Sequence, residues 1–170
     1  LDGFDANNLV KPEEMLPLDK WAVSALNDLM KRVKAGYEAY EYHIVYHAIR
    51  NFCVVEMSNF YMDVIKDTLY CEAKDGLKRR SAQTAMYLIL DAMVKMLAPI
   101  LSFTADEIWK AMPHRNGDDA ENIAFNQMAV PYEEYQLDVN TMYEFGEYIK
   151  LRDDINLLLE EARSAKLIGK

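Results

Sequence analysis

The stretch from Tyr42 to Tyr70 decides the fold, and it reads YHIVYHAIRNFCVVEMSNFYMDVIKDTLY. It contains neither Gly nor Pro, and its apolar residues recur at spacings of three and four, which places them on one side of an α-helix. A continuous helix over this range would be about 40 Å long, at 1.5 Å per residue. A helix of this kind buries its apolar side against neighbouring helices, so the stretch predicts an all-α protein.

The same periodicity predicts three further long helices, over residues 18–40, from residue 77 to about Pro99, and over residues 141–166. Four amphipathic helices joined by short turns form an up-and-down bundle, because each apolar face has only its neighbours to pack against. Asp19 stands where it can cap the first helix. The segment 1–17 shows no sustained period, so we expect an irregular lead-in from a preceding domain, followed by one bundle domain over 18–170.

The segment after the third helix is expected to contain a short helix and an acidic connector. Pro99 must end or kink the third helix. Thr104 to Glu107 fit a capping box, in which the Thr104 side chain accepts a hydrogen bond from the Glu107 amide, so a short helix should begin there. Beyond it, residues 116–149 carry eight of the 28 acids and none of the 19 Lys and Arg. The rest of the chain is nearly neutral, so the net charge of −9 does not exclude a local basic surface.

The sequence carries no motif for catalysis or nucleotide binding. A glycine-rich phosphate loop and a nucleophile elbow are both absent. His43 and His47 have a metal-binding spacing, but Ile44 stands where zinc-protease helices carry Glu, which favours histidines without a metal. Cys53 and Cys71 are expected to be buried free thiols. Because no long apolar run or leader is present, we expect a soluble, cytoplasmic chain with no membrane segment.

Two groups of basic and amide side chains are candidates for nucleic-acid binding. Lys78, Arg79 and Arg80 open the third helix beside Gln83, and the last helix carries Arg152, Asn156, Arg163 and Lys166. Phosphates are contacted mainly by Lys and Arg, and unpaired bases stack on exposed aromatic rings beside them. For a basic triplet alone, a solvated helix end is the favoured interpretation.

Several blocks follow the order and spacing of one known family along essentially the whole chain. They are NFCVVEMSNFYMDVIKDTLY at 51–70, RRSAQT at 79–84, LAPIL at 97–101, TADEIW at 104–109, RDDIN at 152–156, EAR at 161–163 and KLIGK at 166–170. Together they resemble the anticodon-binding domain of isoleucyl-tRNA synthetases. The LAPI and TxxEIW blocks are shared with the valyl and leucyl enzymes, which keeps these two families as alternatives. The Ser58–Tyr61 run, followed by Lys66 and Asp67, favours isoleucine.

The resemblance implies a non-catalytic, monomeric domain that grips the anticodon stem and loop of tRNA(Ile). In the family, other domains of the same enzyme join isoleucine to its tRNA with ATP and Mg²⁺, and a C-terminal module holds zinc. Their signatures are missing here, so we expect a piece of a longer enzyme with no cofactor of its own, whose partners are the catalytic and C-terminal domains. The tRNA-binding residues expected are Arg79, Arg80, Gln83, Arg152, Asn156, Arg163 and Lys166, with Asn59, Tyr61 and Lys66 from the family-specific block.

Two hypotheses without RNA remain open at this point. A helical scaffold could bind a protein partner through its Met- and Tyr-rich faces, and an amphipathic module could lie on a membrane surface, although the acidic balance disfavours the latter. If tRNA is the partner, the acids of residues 118–147 should face away from it, and Arg79, Arg80, Arg152, Arg163 and Lys166 should converge on one side.

Overall fold

A computed structural model of the chain describes residues 3–169, and these form helices and loops without a strand. The predicted all-α class is confirmed. The elements are α1 (Pro17–Glu38), α2 (Tyr42–Asn51), a π-helix (Phe52–Tyr61), α3 (Met62–Val64), α4 (Lys66–Cys71), α5 (Leu77–Leu97), α6 (Ser102–Ala111), two 3₁₀ turns (Ile123–Phe125 and Glu133–Tyr135) and α7 (Val139–Ser164).

The chain divides into two compact units, one ending at Gln136 and the other beginning at Leu137. The described part of the lead-in belongs to the first unit and is not a separate segment before the bundle. Its apolar side chains Phe4, Ala6, Val10 and Met15 are buried. The backbone N–H of Val10 donates to Thr84 Oγ1 on α5 at 3.1 Å. The lead-in lacks helical periodicity because it packs on α5 as an irregular segment and not as a helix.

Helix α1 lies at the centre of the first unit. Its inner side buries Trp21, Leu26, Leu29 and Val33. Helices α1 and α2 approach closely at Gly36, where an added Cβ would come within 2.9 Å of Val45 Cγ2. A glycine at this point therefore permits the α1–α2 packing.

The second predicted helix is present as a helical path, but its hydrogen bonding differs from the prediction. Residues Phe52–Tyr61 form a π-helix, in which each N–H bonds five residues back, and a turn at Ile65 precedes α4. Apolar spacing alone does not distinguish α from π hydrogen bonding, so this change could not be predicted. The expectation of buried thiols was wrong, since Cys53 is half-buried and Cys71 is exposed on α4, which buries no residue.

Both predicted N-terminal caps are corrected by the structure. Helix α1 begins with Pro17 after Leu16, so Asp19 lies inside its first turn. Helix α6 begins at Ser102, two residues before Thr104, and no side chain caps it. Only a short turn around Pro99 separates α5 from α6, and the chain re-enters helix as soon as that turn ends. Pro99 therefore separates two helices as predicted, but Thr104 does not cap the second.

Candidate nucleic-acid interface

The first turn of α5 is fixed by a buried hydrogen-bond network around Asp19. The Asp19 carboxylate accepts from Tyr61 Oη at 2.7 Å and from Ser81 Oγ at 2.5 Å. Ser81 Oγ in turn accepts from the backbone N–H of Leu16 at 2.9 Å. Burial raises the pKa of Asp19, and the two hydrogen bonds lower it in part. The network joins α1, the π-helix and α5, so it ties Ser81, which directly follows the basic triplet, to the two neighbouring helices.

The basic triplet directly precedes Ser81 in α5, and its three members differ in their surroundings. Lys78 is paired with Glu72 at 3.1 Å. The Arg80 guanidinium donates to the carbonyl of Asn8 and lies 5.8 Å from the centre of the Phe4 ring, so it fastens the lead-in. Arg79 is half-buried on the same turn, beside the N–H groups that begin α5. The N-terminus of a helix favours anions, which makes Arg79 the side chain of the triplet best placed for a phosphate.

Two of the expected tRNA-binding residues lie inside the protein. Tyr61 is 0% exposed and Gln83 is 5% exposed. Side chains at these positions do not reach a bound RNA in this conformation, so neither residue is assigned to the interface. The π-helix turns Tyr61 inwards, where its hydroxyl holds Asp19. By contrast, Asn59 is exposed on the π-helix, and Lys66 is exposed on α4 with Asp63 Oδ1 at 2.8 Å.

The second group of basic residues lies on α7, in the other unit. Arg152, Asn156 and Arg163 fall within about 40° of one another around the helix, given 3.6 residues per turn. Arg163 is paired with Glu160. Lys166 follows the end of the helix with a φ of +57°, and the N–H of Leu167 donates to the Ala162 carbonyl at 2.9 Å. The two groups belong to different units, and their convergence on one side stays a prediction.

Comparison with known proteins identifies the family. The model of a family described as "Anticodon-binding domain of tRNA ligase" matches residues 19–170. The chain belongs to this family. Isoleucine–tRNA ligases from Syntrophotalea carbinolica, Pasteurella multocida and Geobacter sulfurreducens are 45%, 41% and 41% identical to it, each over 99% of the chain. The chain spans 18% of the length of these curated relatives.

This anticodon-binding domain contains a second buried ionic network, which the sequence analysis missed. Asp91 on α5 accepts from Arg115 at 2.8 Å and from Tyr132 Oη at 2.8 Å, and it lies 2.8 Å from Lys95 Nζ. Burial, with the nearby Asp91 charge, raises the pKa of Tyr87 to about 12. The network fastens the acidic connector to α5. In the sequence, this network was indicated only by Asp91, an acidic residue among the apolar residues of α5.

The described part of the anticodon-binding domain shows neither a metal centre nor a membrane span. His43 and His47 are exposed on α2, and residues 3–169 contain no group of three His, Cys, Asp or Glu side chains placed to hold a metal ion. No helix within the same residues is long and apolar enough to cross a membrane.

Proposed function

We propose that the chain is the tRNA-binding part of an isoleucine–tRNA ligase and holds the anticodon stem and loop of tRNA(Ile). The observation that carries this proposal is the similarity to isoleucine–tRNA ligases, which extends over 99% of the chain. The Ser58–Tyr61 run supports the same choice among the related ligases. In this proposal the ligase is a cytoplasmic monomer that joins isoleucine to tRNA(Ile) with ATP.

The chemistry of that reaction belongs to other parts of the ligase. The sequence has no phosphate-binding loop, and no metal-binding group is found among residues 3–169. In this proposal, other parts of the ligase bind ATP with Mg²⁺ and hold the zinc of a C-terminal module.

The contribution of the chain is to position the RNA. Arg79 supplies a cation at the start of α5, and the Asp19 network ties that turn to the neighbouring helices. Arg152, Asn156 and Arg163 supply cations and an amide along one side of α7. Contacts of this kind fix the register of an RNA through its phosphates, while amides can read base edges.

The proposal is tested by changing Arg79→Glu in the full-length ligase. We expect weaker binding of tRNA(Ile) and a salt dependence flatter by about one unit of slope, because one phosphate contact is lost. Isoleucine activation, measured as ATP–pyrophosphate exchange, should not change. Arg80 is left intact, because its contact with Asn8 makes its replacement a change in stability as well.

The matched control is Lys110→Glu, which makes the same charge change at an exposed lysine of α6 paired with Asp106. It should leave both tRNA affinity and salt slope close to the wild-type values. If the Arg79→Glu ligase retains wild-type affinity and slope, the start of α5 is a solvated helix end and the assigned interface is wrong.

A further inference from the structure

A stripe of exposed aromatic and cationic side chains runs along α2. It consists of Tyr42, His43, Tyr46, His47 and Arg50, which we call the α2 stripe. Tyr42 and Tyr46 are 52% and 59% exposed, and the histidines and Arg50 are exposed as well. Residues four apart are neighbours on a helix, so Tyr42, Tyr46 and Arg50 form one row and the two histidines form the next. The rings of Tyr46 and His47 lie 5.2 Å apart.

Tyr40 stands just before the stripe in a conformation that tyrosine seldom adopts. Its φ is +57°, and it ends α1 with hydrogen bonds from its own N–H to the Tyr37 carbonyl and from the Glu41 N–H to the Gly36 carbonyl. Glycine is usual at this left-handed position just after the end of a helix, because other residues are strained there. Tyr40 is nevertheless 79% exposed, so burial of its ring does not compensate for the strain. An exposed ring kept at a strained position suggests a contact with a partner.

The charge around the stripe is unusual for this acidic protein. No Asp or Glu occurs between Tyr42 and Val55, although the chain has 28 acids. Beside the stripe, a groove of about 330 Å³ is lined mainly by Ile49, Leu97, Ile100 and Leu101, with Tyr46 and Arg50 at its edge. Arg50 is the one charged residue among those that line it. The surface therefore combines exposed rings, an apolar recess and a cation, and the acids nearest to it along the chain, Glu41 and Glu56, lie at the two ends of this stretch.

The stripe lies at the opposite end of the first unit from Arg79. Helices α1 and α5 run parallel, since Asp19 bonds Ser81 near their beginnings and Tyr37 Oη donates to the Met96 carbonyl near their ends. The groove involves the end of α5, and the 21 residues of that helix span about 30 Å. The α2 stripe is therefore a separate surface from the start of α5.

We propose that the α2 stripe and its groove bind unpaired nucleotides of RNA, whose bases stack on Tyr40, Tyr42 and Tyr46 while Arg50 contacts a phosphate. Base stacking needs exposed aromatic faces and tolerates any base, and phosphate needs a cation free of acidic neighbours. The absence of acids along the whole stripe favours RNA over a protein partner, for which an apolar recess alone would suffice. The inference rests on the proposed function, because it assigns a second contact to the same tRNA.

The stacking contact is tested with Tyr46→Leu and Tyr46→Phe in the full-length ligase. Loss of the ring should weaken tRNA(Ile) binding by about five- to a hundredfold, the range expected for losing one stacked base. Tyr46→Phe keeps the ring and should bind like the wild type. The matched control is Tyr70→Leu, because Tyr70 is 85% exposed on α4 next to acidic residues. It should leave binding unchanged.

Tyr40→Gly separates a role in RNA binding from a purely structural role of Tyr40, because the two roles predict different changes in stability and in tRNA affinity. Glycine removes the strain at this position, so the melting temperature of the ligase should rise while its affinity for tRNA(Ile) falls. Affinity that stays constant or improves in Tyr40→Gly, together with wild-type affinity in Tyr46→Leu, would overturn the proposal. The proposed function would survive that result if Arg79→Glu still weakened binding, and it would fail with the proposal if the wild-type ligase bound no tRNA(Ile).

Hydroxyl-radical footprinting of the full-length ligase separates RNA from a protein occupant. Oxidation of Tyr42 and Tyr46 in the free enzyme, with protection on addition of tRNA(Ile), supports the proposal. Protection in the absence of tRNA means that another part of the ligase covers the stripe, and oxidation unaffected by tRNA means that the bound RNA lies elsewhere. Either of these two results contradicts the proposal.

Discussion

Asp19 shows what an isolated polar residue can and cannot indicate at the level of sequence. Its place at the start of a helix suggested a cap, whereas the structure buries it between Tyr61 and Ser81. A carboxylate in a first turn has the same local pattern in both roles. The residues that bury it come from positions 61 and 81, which no local spacing connects to 19. Its position was thus predictable, and its function in the core was not.

The buried carboxyl predicts a particular dependence of stability on pH. The folded pKa of Asp19 lies above its ordinary value of 3.8, so over the pH range between these two values the folded state holds a proton that the unfolded chain has lost. Its contribution to the free energy of unfolding must therefore decrease as pH rises through that range. Urea denaturation of the wild type and Asp19→Asn, between about pH 3.5 and 7, measures the difference.

In that comparison the wild type should lose stability relative to Asp19→Asn as pH rises, because asparagine does not titrate. A difference that stays flat across the whole range would show that Asp19 ionises in the folded protein as it does in the unfolded chain.

The candidate site was likewise only partly visible in the sequence. Asn59 is exposed and Arg79 half-buried, so both remain accessible, as is usual for basic and amide residues. Tyr61 and Gln83 were expected to contact RNA, and their burial depends on which way each helix faces in the folded unit. The exposure of Tyr42 and Tyr46 was not predicted. Composition does not reveal which of several amphipathic rings the neighbouring helices leave uncovered.

Among the elements, α6 illustrates how a capping motif can be overridden by its surroundings. The Thr104–Glu107 pattern is a valid capping box, but the helix already begins at Ser102, directly after Leu101 in a non-helical conformation (φ −113°, ψ 54°). Ser102 Oγ donates to the Ala98 carbonyl at 2.8 Å, which ties the start of α6 to the end of α5.

This arrangement reverses the order of two substitutions from that predicted by the capping box. Ser102→Ala should lower the free energy of unfolding by about 0.5–1 kcal/mol, since it removes one exposed hydrogen bond across the turn. Thr104→Ala lies within the helix on an exposed face and should cost less, because alanine is also the better helix former. Thermal or urea unfolding of the two variants gives the comparison. A larger loss of unfolding free energy in Thr104→Ala than in Ser102→Ala would show that Thr104 caps the helix after all.

At the scale of the whole molecule, periodicity was sufficient for the all-α class and for most helix positions, because apolar spacing reflects which face of a helix is buried. It was insufficient for the lead-in, whose Phe4 and Val10 pack on α5 without any regular repeat. It also did not reveal the two units, since the boundary after Gln136 lies in the connector and leaves no pattern of its own.

The net charge of −9 should affect the association rate of RNA more than its dissociation rate. Changing Glu133→Gln and Glu134→Gln in the full-length ligase removes two negative charges, one of which pairs with Lys31 at 3.2 Å. We expect a faster association with tRNA(Ile) at low salt and a nearly unchanged dissociation rate, because long-range repulsion acts mainly on encounter. Stopped-flow fluorescence at low and high salt measures both rates. The gain should disappear at high salt, and a gain that persists there would show a direct contact instead.

The packing of the lead-in also sets an order of events when the protein is made. Tyr135 Oη donates to the carbonyl of Val10 at 2.9 Å, across 125 positions of the chain. A ribosome adds about 5–20 residues per second, so Val10 is added about 6–25 s before Tyr135. The lead-in lacks its contacts with α5 until that helix has been made, and it lacks Tyr135 until the end of the interval, so its apolar side chains are available to chaperones in the meantime. The first unit therefore closes over its earliest residues last, once nearly all of it has been synthesised.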